Sequence, residues 1–424
     1  MNNNPNQPRE FDAVLGGELP PPVHGVVLGG LEGVKSRLNS SVVEVQVAAL
    51  SEALNYGEVG LDLVIEALNH SSPYVQRNAA KILKSTVNFK AKEALLQYDY
   101  NLFFTKLEDW ESQEINHQTS TIEHFGNAYI ITISYSGNTK KTIDSLFELI
   151  LKKPHTGHIE ALQCKYGRHT SGELVINALV NANEELKNLK AVYVGDMDDY
   201  EYKTSDAQLS NMSPLLKAYP QLEVLQVRGF AHHSDCGLAF EPLRHEHLKS
   251  LIIETGYMLC NKIIDQVSQL ELPELEYLEL WLGNDENYYS QGLYYQDENE
   301  EDFHSNIAYS SLRNLTPIIS GKAFPKLKYL GLRSANYSNE IGETIVESAL
   351  LEKLLVLDIS MGTLTDQGAE VLFNCPKINQ LHTLNVSMNF LSATMIEKLS
   401  NLKCRVVAEP QADSAEYRYY TLSE

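Results

Sequence analysis

The chain has 424 residues, of which 43% are hydrophobic, so it is long enough for two or three ordinary domains or for one repeat array with a companion domain. It carries 34 Lys and Arg against 56 Asp and Glu, and the resulting net charge of −22 would repel a nucleic acid duplex or an anionic membrane surface. We therefore expect no nucleic acid partner. We also expect no membrane partner, because no uncharged apolar run in the sequence reaches transmembrane length.

Residues 1–28 are rich in Asn, Pro and Gly and are interpreted as a flexible lead. They lack the basic segment followed by an apolar segment that is typical of a secretory signal, which favours a cytoplasmic location. The five cysteines are odd in number and show no Cys-x-x-Cys spacing, which indicates reduced thiols rather than disulfides or a zinc knuckle. They are Cys164, Cys236, Cys260, Cys375 and Cys404.

Residues 29–100 show a helical pattern in two similar halves. NSSVVEVQVAALSEAL from Asn39 aligns with HSSPYVQRNAAKILKS from His70 at an offset of 31, which matches a Ser-Ser pair and an Ala-Ala pair. Serines at a helix start can cap its N–H groups, and alanines allow neighbouring helices to approach closely. Amphipathic stretches from Glu32 and Gly60 precede the two halves, and AKEALLQY from Ala91 is a candidate closing helix.

This region resembles HEAT-like repeats, which implies antiparallel helix pairs and a role in surface contact. An ordinary small helical bundle is the alternative. Residues 101–154 are interpreted as a connector and as the N-terminal cap of a following array. Here NAYIITISYSG from Asn127 predicts a strand, and KTIDSLFELILKK from Lys141 predicts an amphipathic helix.

A six-residue phrase, apolar-x-x-apolar-x-apolar, recurs through residues 155–410. Its copies are separated by 30, 33, 26, 27, 52, 27, 27 and 21 residues, and helical stretches lie between many of them. Each unit is therefore predicted to be a short strand followed by a returning helix. The copies are IEALQC from Ile159, LKAVYV from Leu189, LEVLQV from Leu222, LKSLII from Leu248, LEYLEL from Leu275, LKYLGL from Leu327, LLVLDI from Leu354, LHTLNV from Leu381 and a degenerate LKCRVV from Leu402.

The phrase closely resembles the leucine-rich repeat in its longer-period, ribonuclease-inhibitor-like variety, and the chain resembles a bacterial leucine-rich repeat protein with a HEAT-like region before it. The resemblance implies an α/β solenoid, or horseshoe, after an all-α segment and before a tail at residues 411–424. The Asn that usually follows the strand is present as Asn389 but not regularly elsewhere.

Alternate strand positions are expected to face solvent on the concave sheet, because strand side chains alternate in direction. Aromatic and Arg residues among them are typical anchors of protein interfaces. The alternative is that the tyrosines and tryptophan are ordinary strand residues and that the arginines pair with neighbouring carboxylates. The candidate partner-binding residues are Tyr193, Gln226, Arg228, Glu254, Tyr277, Glu279, Trp281, Tyr329, Arg333, Asp358, Ser360, Asn385 and Ser387.

The interval of 52 residues after Leu275 indicates an insertion of about 25 residues in one repeat, located at 283–306. This stretch, GNDENYYSQGLYYQDENEEDFHSN, has four tyrosines, seven carboxylates and no Lys or Arg. A disordered spacer is one interpretation, but the tyrosines favour a loop that contributes to partner recognition. Its candidate binding residues are Tyr288, Tyr289, Tyr294 and Tyr295.

No motif indicates a catalytic, cofactor or metal site. The sequence has no phosphate loop, no Gly-x-Ser-x-Gly and no His-Glu-x-x-His. The cluster His232, His233, Asp235, Cys236, His245 and His247 matches no zinc spacing, and GDMDDYE from Gly195 lacks the order of a calcium loop.

The sequence therefore predicts a non-enzymatic, cytoplasmic scaffold that binds protein partners through the concave face and the helices. Its acidity favours a basic surface on a partner. The alternative function is an enzyme or enzyme subunit, since the helical part also resembles the HEAT-like repeats of bilin lyases.

Overall fold

The computed structural model describes residues 30–86, 88–122, 126–133, 139–152, 155–167, 170–196, 207–229, 237–255, 259–283 and 311–412. The chain divides into two compact units, Met1–Thr105 and Lys106–Glu424, here called the helical unit and the sheet unit. The predicted lead at 1–28, residues 284–306 of the predicted insertion and the tail from residue 413 lie outside the described residues.

In its described residues, the helical unit contains five α-helices around one apolar core. Its buried side chains include Leu31 and Val34 from the first helix and Leu83 and Leu95 from the last two. The helices predicted from Glu32, Gly60 and Ala91 are all present. The five are α1 (Gly30–Leu38), α2 (Val43–Ala53), α3 (Gly57–Glu66), α4 (Pro73–Ser85) and α5 (Phe89–Tyr98).

The two halves of this unit correspond at an offset of 30 residues rather than the predicted 31. Helices α2 and α4 begin 30 residues apart, and the buried pair Ala49 and Leu50 corresponds to Ala79 and Ala80, while Ala48 is exposed. The predicted serine caps are also wrong: α2 begins after Val42, and the Ser72 side chain makes no capping hydrogen bond. Aligning identical residues gave the wrong offset because the buried positions, rather than residue identity, define the repeat.

The sheet unit is built on one parallel sheet of eleven strands that pair in chain order. The strands are β1 (Gln113–Asn116), β2 (Ala128–Ile133), β3 (Ala161–Tyr166), β4 (Ala191–Asp196), β5 (Val224–Gly229), β6 (Ser250–Thr255), β7 (Tyr277–Trp281), β8 (Tyr329–Arg333), β9 (Val356–Asp358), β10 (Thr383–Asn385) and β11 (Arg405–Val407). Parallel neighbours in chain order require a crossover after each strand, so the predicted α/β solenoid is confirmed.

The register agrees with the repeated phrase. The third residue of each of the first eight phrases falls in one row across the sheet, from Ala161 through Tyr277 and Tyr329 to Thr383. The ninth phrase is displaced by one residue, since Arg405 rather than Cys404 pairs with Thr383. β7 pairs directly with β8 despite the long interval, so the additional residues lie within a single repeat.

Helices connect most strands and pack on one side of the sheet. They are α6 (Thr139–Ile150), α7 (Gly172–Asn181), α8 (Ser213–Ala218), α9 (Asn261–Ser268), α10 (Leu312–Ile319), α11 (Ser338–Val346), α12 (Asp366–Asn374) and α13 (Ala393–Leu399). The second and fourth residues of the strands, such as Leu162 and Cys164, are buried against these helices in one continuous core.

The turns after β8, β9 and β10 share a conformation that side chains rarely adopt. Ser334, Met361 and Met388, spaced 27 residues apart, have φ of 58°, 60° and 53°. The strained backbone is held in the last turn by Asn389, which is fully buried and donates to the carbonyls of Ile359 and Val386 at 3.0 Å. Asn389 thus satisfies buried carbonyls at the turn, which is the role expected for the asparagine that follows the strand in the repeat.

Candidate functional site

The candidate site is the face of the sheet opposite the helix-packed core, here called the front face. It carries the first, third and fifth residues of each strand, the positions that the sequence predicts as concave and solvent-facing. That prediction of exposure is wrong for nine of the candidates, which are buried: Tyr193, Tyr277, Glu279, Trp281, Tyr329, Asp358, Ser360, Asn385 and Ser387. Gln226, Arg228, Glu254 and Arg333 are partly exposed.

One cause of this burial is a segment of the chain itself, residues Lys106–Ser112, here called the strap. Leu107 and Trp110 of the strap are buried in a small apolar cluster with Tyr193 and with the small side chains of the first row: Ala128, Ala161, Ala191 and Val224. Small side chains leave space for a second layer above the sheet. The strap occupies that space.

Polar contacts fix the strap at both ends. The Trp110 indole Nε1 donates to Glu160 at 3.0 Å, and the Gln163 amide donates to Ser112 Oγ at 3.2 Å. At the other end Lys106 Nζ lies 4.9 Å from the centre of the Tyr277 ring and 3.5 Å from its hydroxyl. The strap therefore extends along the front face from β3 to β7.

Next to the strap, a buried carboxylate organises the front face. Glu279 is 4% exposed and accepts hydrogen bonds on both of its oxygens. Oε1 accepts from Trp281 Nε1 and from Arg333 Nη1, both at 2.7 Å. Oε2 accepts from the hydroxyl of Tyr277, and the hydroxyl oxygen of Tyr329 lies 3.4 Å away. Three donors thus occupy both oxygens of Glu279.

The buried Tyr277 and Tyr329 side chains lean along their strands towards Glu279 and Gly331. Their rings stack with centroids 3.8 Å apart and planes 11° from parallel. The space for the Tyr329 ring exists because β8 has glycine at its third residue: a Cβ on Gly331 would lie 2.9 Å from the Tyr329 ring and 3.1 Å from Glu279 Cγ. Glycine is required here for packing rather than for a turn.

The network continues across β9 and β10 through uncharged donors. The Tyr329 hydroxyl donates to Asp358 Oδ2 at 3.0 Å, and the Asn385 amide donates to the same oxygen at 2.9 Å. Asn385 in turn accepts from the Ser387 hydroxyl at 2.8 Å. These side chains fix one another, so their rotamers are determined before any partner arrives.

The arginines pair with neighbouring carboxylates, as the alternative interpretation of the sequence states. Arg333 binds Glu279, lies 4.0 Å from Asp358 and stacks on the Trp281 ring with its guanidinium carbon 4.8 Å from the ring centre. Arg228 Nε lies 3.8 Å from Glu254. Both arginines keep 23% of the side chain exposed, so a partner can reach them.

Charge and burial compete in setting the protonation of these groups. Burial tends to raise the pKa of Glu279, but the charges of Arg333 and Lys106 and the donated hydrogen bonds outweigh it and lower the pKa to about 2. Glu254 has the opposite balance, since burial and the nearby Glu279 raise its pKa. Burial also raises the pKa of Tyr277 and Tyr329, which keeps both hydroxyls protonated as donors.

A ladder of alternating charge precedes the first row of the sheet and was missed by the sequence analysis. Its members are Glu160, Lys190, Glu223, Lys249, Glu276 and Lys328, one from each of six consecutive repeats. Lys190 binds Glu160 at 2.6 Å, Lys249 binds Glu223 at 2.7 Å and Lys328 binds Glu276 at 2.5 Å. The signal was present at the second residue of the first six phrases, which alternates between Glu and Lys.

Two members of the predicted His and Cys cluster have structural roles. His245 is buried, with Nε2 3.0 Å from the Tyr219 carbonyl and Nδ1 accepting from the amide of Leu248 at 3.2 Å. His247 Nδ1 lies 2.9 Å from the Pro220 carbonyl. The cluster's other members, at 232–236, lie outside the described residues, as do residues 197–201 of the acidic stretch GDMDDYE.

Within the part of the chain that the structure describes, no group of three His, Cys, Asp or Glu residues is placed to hold a metal ion. Burial raises the pKa of the Cys164 thiol to about 12, so this cysteine is a core residue. Over the same residues, no helix combines the length and the apolar character needed to cross a membrane. The candidate residues Tyr288, Tyr289, Tyr294 and Tyr295 lie outside the described ranges.

The fold has a counterpart of known structure. A protein from Bacteroides fragilis, solved by a structural genomics consortium, superposes with a TM-score of 0.55 at 25% identity, over 71% of this chain and 78% of that one. An internalin from Listeria monocytogenes aligns over 84% of this chain and 94% of its own at 13% identity, but its TM-score of 0.32 does not establish a shared fold. No protein-family model matches the chain, and no curated protein matches it.

Proposed function

We propose that this protein is a non-enzymatic scaffold in which the sheet unit binds one protein partner and the helical unit binds a second. The observation that carries the proposal is the preorganised front face. Arg333 is held by Glu279 and stacked on Trp281 before any partner is present, and Arg228 is held near Glu254. Prior fixation lowers the conformational entropy that binding must remove.

The chemistry of this face suits protein recognition. Arg and Trp are the residues that most often dominate binding energy at protein interfaces. Lys165 is partly exposed in the same row as Arg228, at the fifth residue of β3. A partner that presents carboxylates or backbone carbonyls to this row would pair with cations that are already positioned.

The same contacts argue against using Glu279 in catalysis. Both its oxygens already accept hydrogen bonds, and its low pKa makes it a poor proton acceptor at neutral pH. We therefore propose a scaffold in preference to an enzyme. A cytoplasmic location and the absence of a cofactor are parts of the same proposal.

A capture experiment tests the scaffold proposal. The full-length protein is crosslinked in lysate and its partners are identified by mass spectrometry, using wild type and the variant Lys165→Ala with Arg228→Ala. We expect a dominant protein partner with the wild type that the variant loses. Lys326→Ala is the matched control, because it removes an exposed cation that is paired with Glu274.

Substitutions of Trp281 and Arg333 are unsuitable for this purpose. Both side chains bind the buried Glu279, so their removal changes stability as well as the surface. A partner captured equally by the double variant would contradict the assignment of the front face, and capture of no protein by the wild type would contradict the scaffold function.

A further inference from the structure

A second surface with binding character lies on the helical unit, along helices α3 and α5. Five of the six large hydrophobic side chains that are exposed in the described residues belong to this unit. The most exposed is Phe89, at 80%, followed by Val59 and Val42 at 48% each. A phenylalanine this exposed is unusual in a folded domain, because burying one stabilises by about 1.5–3 kcal/mol.

Phe89 and Val59 lie on the same edge of the unit. They are 30 residues apart, which is the repeat interval, and the residues beside them are in contact: the Asn88 amide donates to Glu58 at 3.3 Å, and Lys90 pairs with Asp62. α3 therefore begins beside the start of α5, and the exposed Val59 and Phe89, here together called the apolar stripe, lie at these neighbouring helix starts.

The position of Phe89 is fixed by the start of its helix. Asn88 caps α5, with its side-chain oxygen accepting from the amides of Lys90 at 2.8 Å and Ala91 at 3.4 Å. Phe89 is the first residue of the helix, so its backbone is rigid although its side chain projects into solvent. An anchored aromatic side chain loses little freedom on binding.

The charge around the stripe selects the kind of partner. The charged residues of α3 and α5 are Glu58, Asp62, Glu66 and Glu93 against Lys90 and Lys92, so two negative charges are in excess. Two adjacent helices with an apolar stripe and acidic margins complement a helix that is apolar on one side and basic on the other.

We infer that the α3 and α5 surface, with Phe89 and Val59 at its centre, binds a basic amphipathic helix of a partner protein. This inference rests on the proposed scaffold function and names its second surface. The α3 and α5 surface and the front face belong to different units, so an experiment can refute one binding surface without refuting the other.

The test uses the full-length protein and a labelled 18-residue peptide of leucine and lysine, with leucines at helical spacing, followed by fluorescence anisotropy. We expect binding that weakens as salt rises. Val59→Ser with Phe89→Ser should lower the affinity at least about tenfold, which is the loss of roughly one buried aromatic side chain. Glu58→Gln with Glu93→Gln should lower it and flatten the salt dependence.

Tyr74→Ser is the matched control, because Tyr74 is 37% exposed but lies at the start of α4, away from the stripe. This variant should bind like wild type, and all variants should keep the wild-type thermal melt. Equal affinity of the Val59 and Phe89 double variant and the wild type would overturn the inference. So would a wild-type dimer in sedimentation that the double variant abolishes, since the occupant would then be a second copy of this chain.

Discussion

Replacing Glu279 with Gln is expected to destabilise the sheet unit by about 3 kcal/mol. The carboxylate is buried and accepts from Tyr277, Trp281 and Arg333, and its pKa is lowered from 4.5 to about 2. A shift of one pKa unit corresponds to about 1.4 kcal/mol, and removing one partner of a buried ion pair costs roughly 3–5 kcal/mol. The pKa shift and the loss of the ion pair therefore correspond to free energies of the same order.

The assay is urea denaturation followed by tryptophan fluorescence. The chain has two tryptophans, Trp110 and Trp281, and both lie in buried positions on the front face, so the signal reports on the sheet unit. Glu274→Gln is the matched control. Its exposed ion pair with Lys326 should contribute no more than about 1 kcal/mol.

The stabilisation by Glu279 depends on pH. Because the folded pKa of Glu279 lies below the ordinary value, its contribution is complete above about pH 4.5 and is lost as pH falls towards 2. The difference between wild type and Glu279→Gln should therefore be constant near neutral pH and shrink in acid. Arg333→Met in the Glu279→Gln background should cost less than in wild type. An equal loss in the Glu279 and Glu274 variants would refute the proposed network.

Three further perturbations test the strap, the stacked tyrosines and the buried histidine. Trp110→Ala should cost about 3–5 kcal/mol in the same denaturation assay, now read from Trp281, because the indole is buried on the sheet, whereas Glu108→Ala should change little. Gly331→Ala should destabilise by about 1–3 kcal/mol, because its Cβ would displace the Tyr329 ring. Gly342→Ala is the control and should be neutral or stabilising, because its Cβ would make only ordinary contacts from 3.6 Å. Equal effects of the two substitutions would contradict the packing role of Gly331. Burial lowers the pKa of His245, so wild type should lose stability as pH falls below about 6.5, and His245→Asn should show a smaller loss over that window in thermal melts.

The strands of the sheet unit could be predicted because the phrase that encodes them is local. Three apolar side chains at fixed spacing determine which residues face the helices, and eight of nine phrases have the predicted register. The interval after Leu275 similarly located the insertion within one repeat, since β7 and β8 must still pair. The ninth phrase was displaced because its apolar pattern is degenerate and gives no unique alignment.

The burial of the front-face side chains could not be predicted from the sequence in the same way. The alternating direction of side chains along a strand shows which of them point away from the core. It does not show whether another segment of the chain covers them. The covering segment is the strap, which precedes the phrases in sequence and reaches β7 only through tertiary packing. A signal was nevertheless present, since alanine recurs as the first residue of β2, β3 and β4, where a solvent-facing strand would favour larger side chains.

The front face also limits how a partner can bind. Its aromatic side chains and carboxylates already satisfy one another, so a partner that displaced them would lose about as many hydrogen bonds as it gained. The groups that remain available are the partly exposed cations of one unit and the acidic, apolar helix face of the other. These two surfaces have opposite charge preferences. On the proposed function, each unit therefore selects a different protein, and exchanging the charge at one surface should leave binding at the other unchanged.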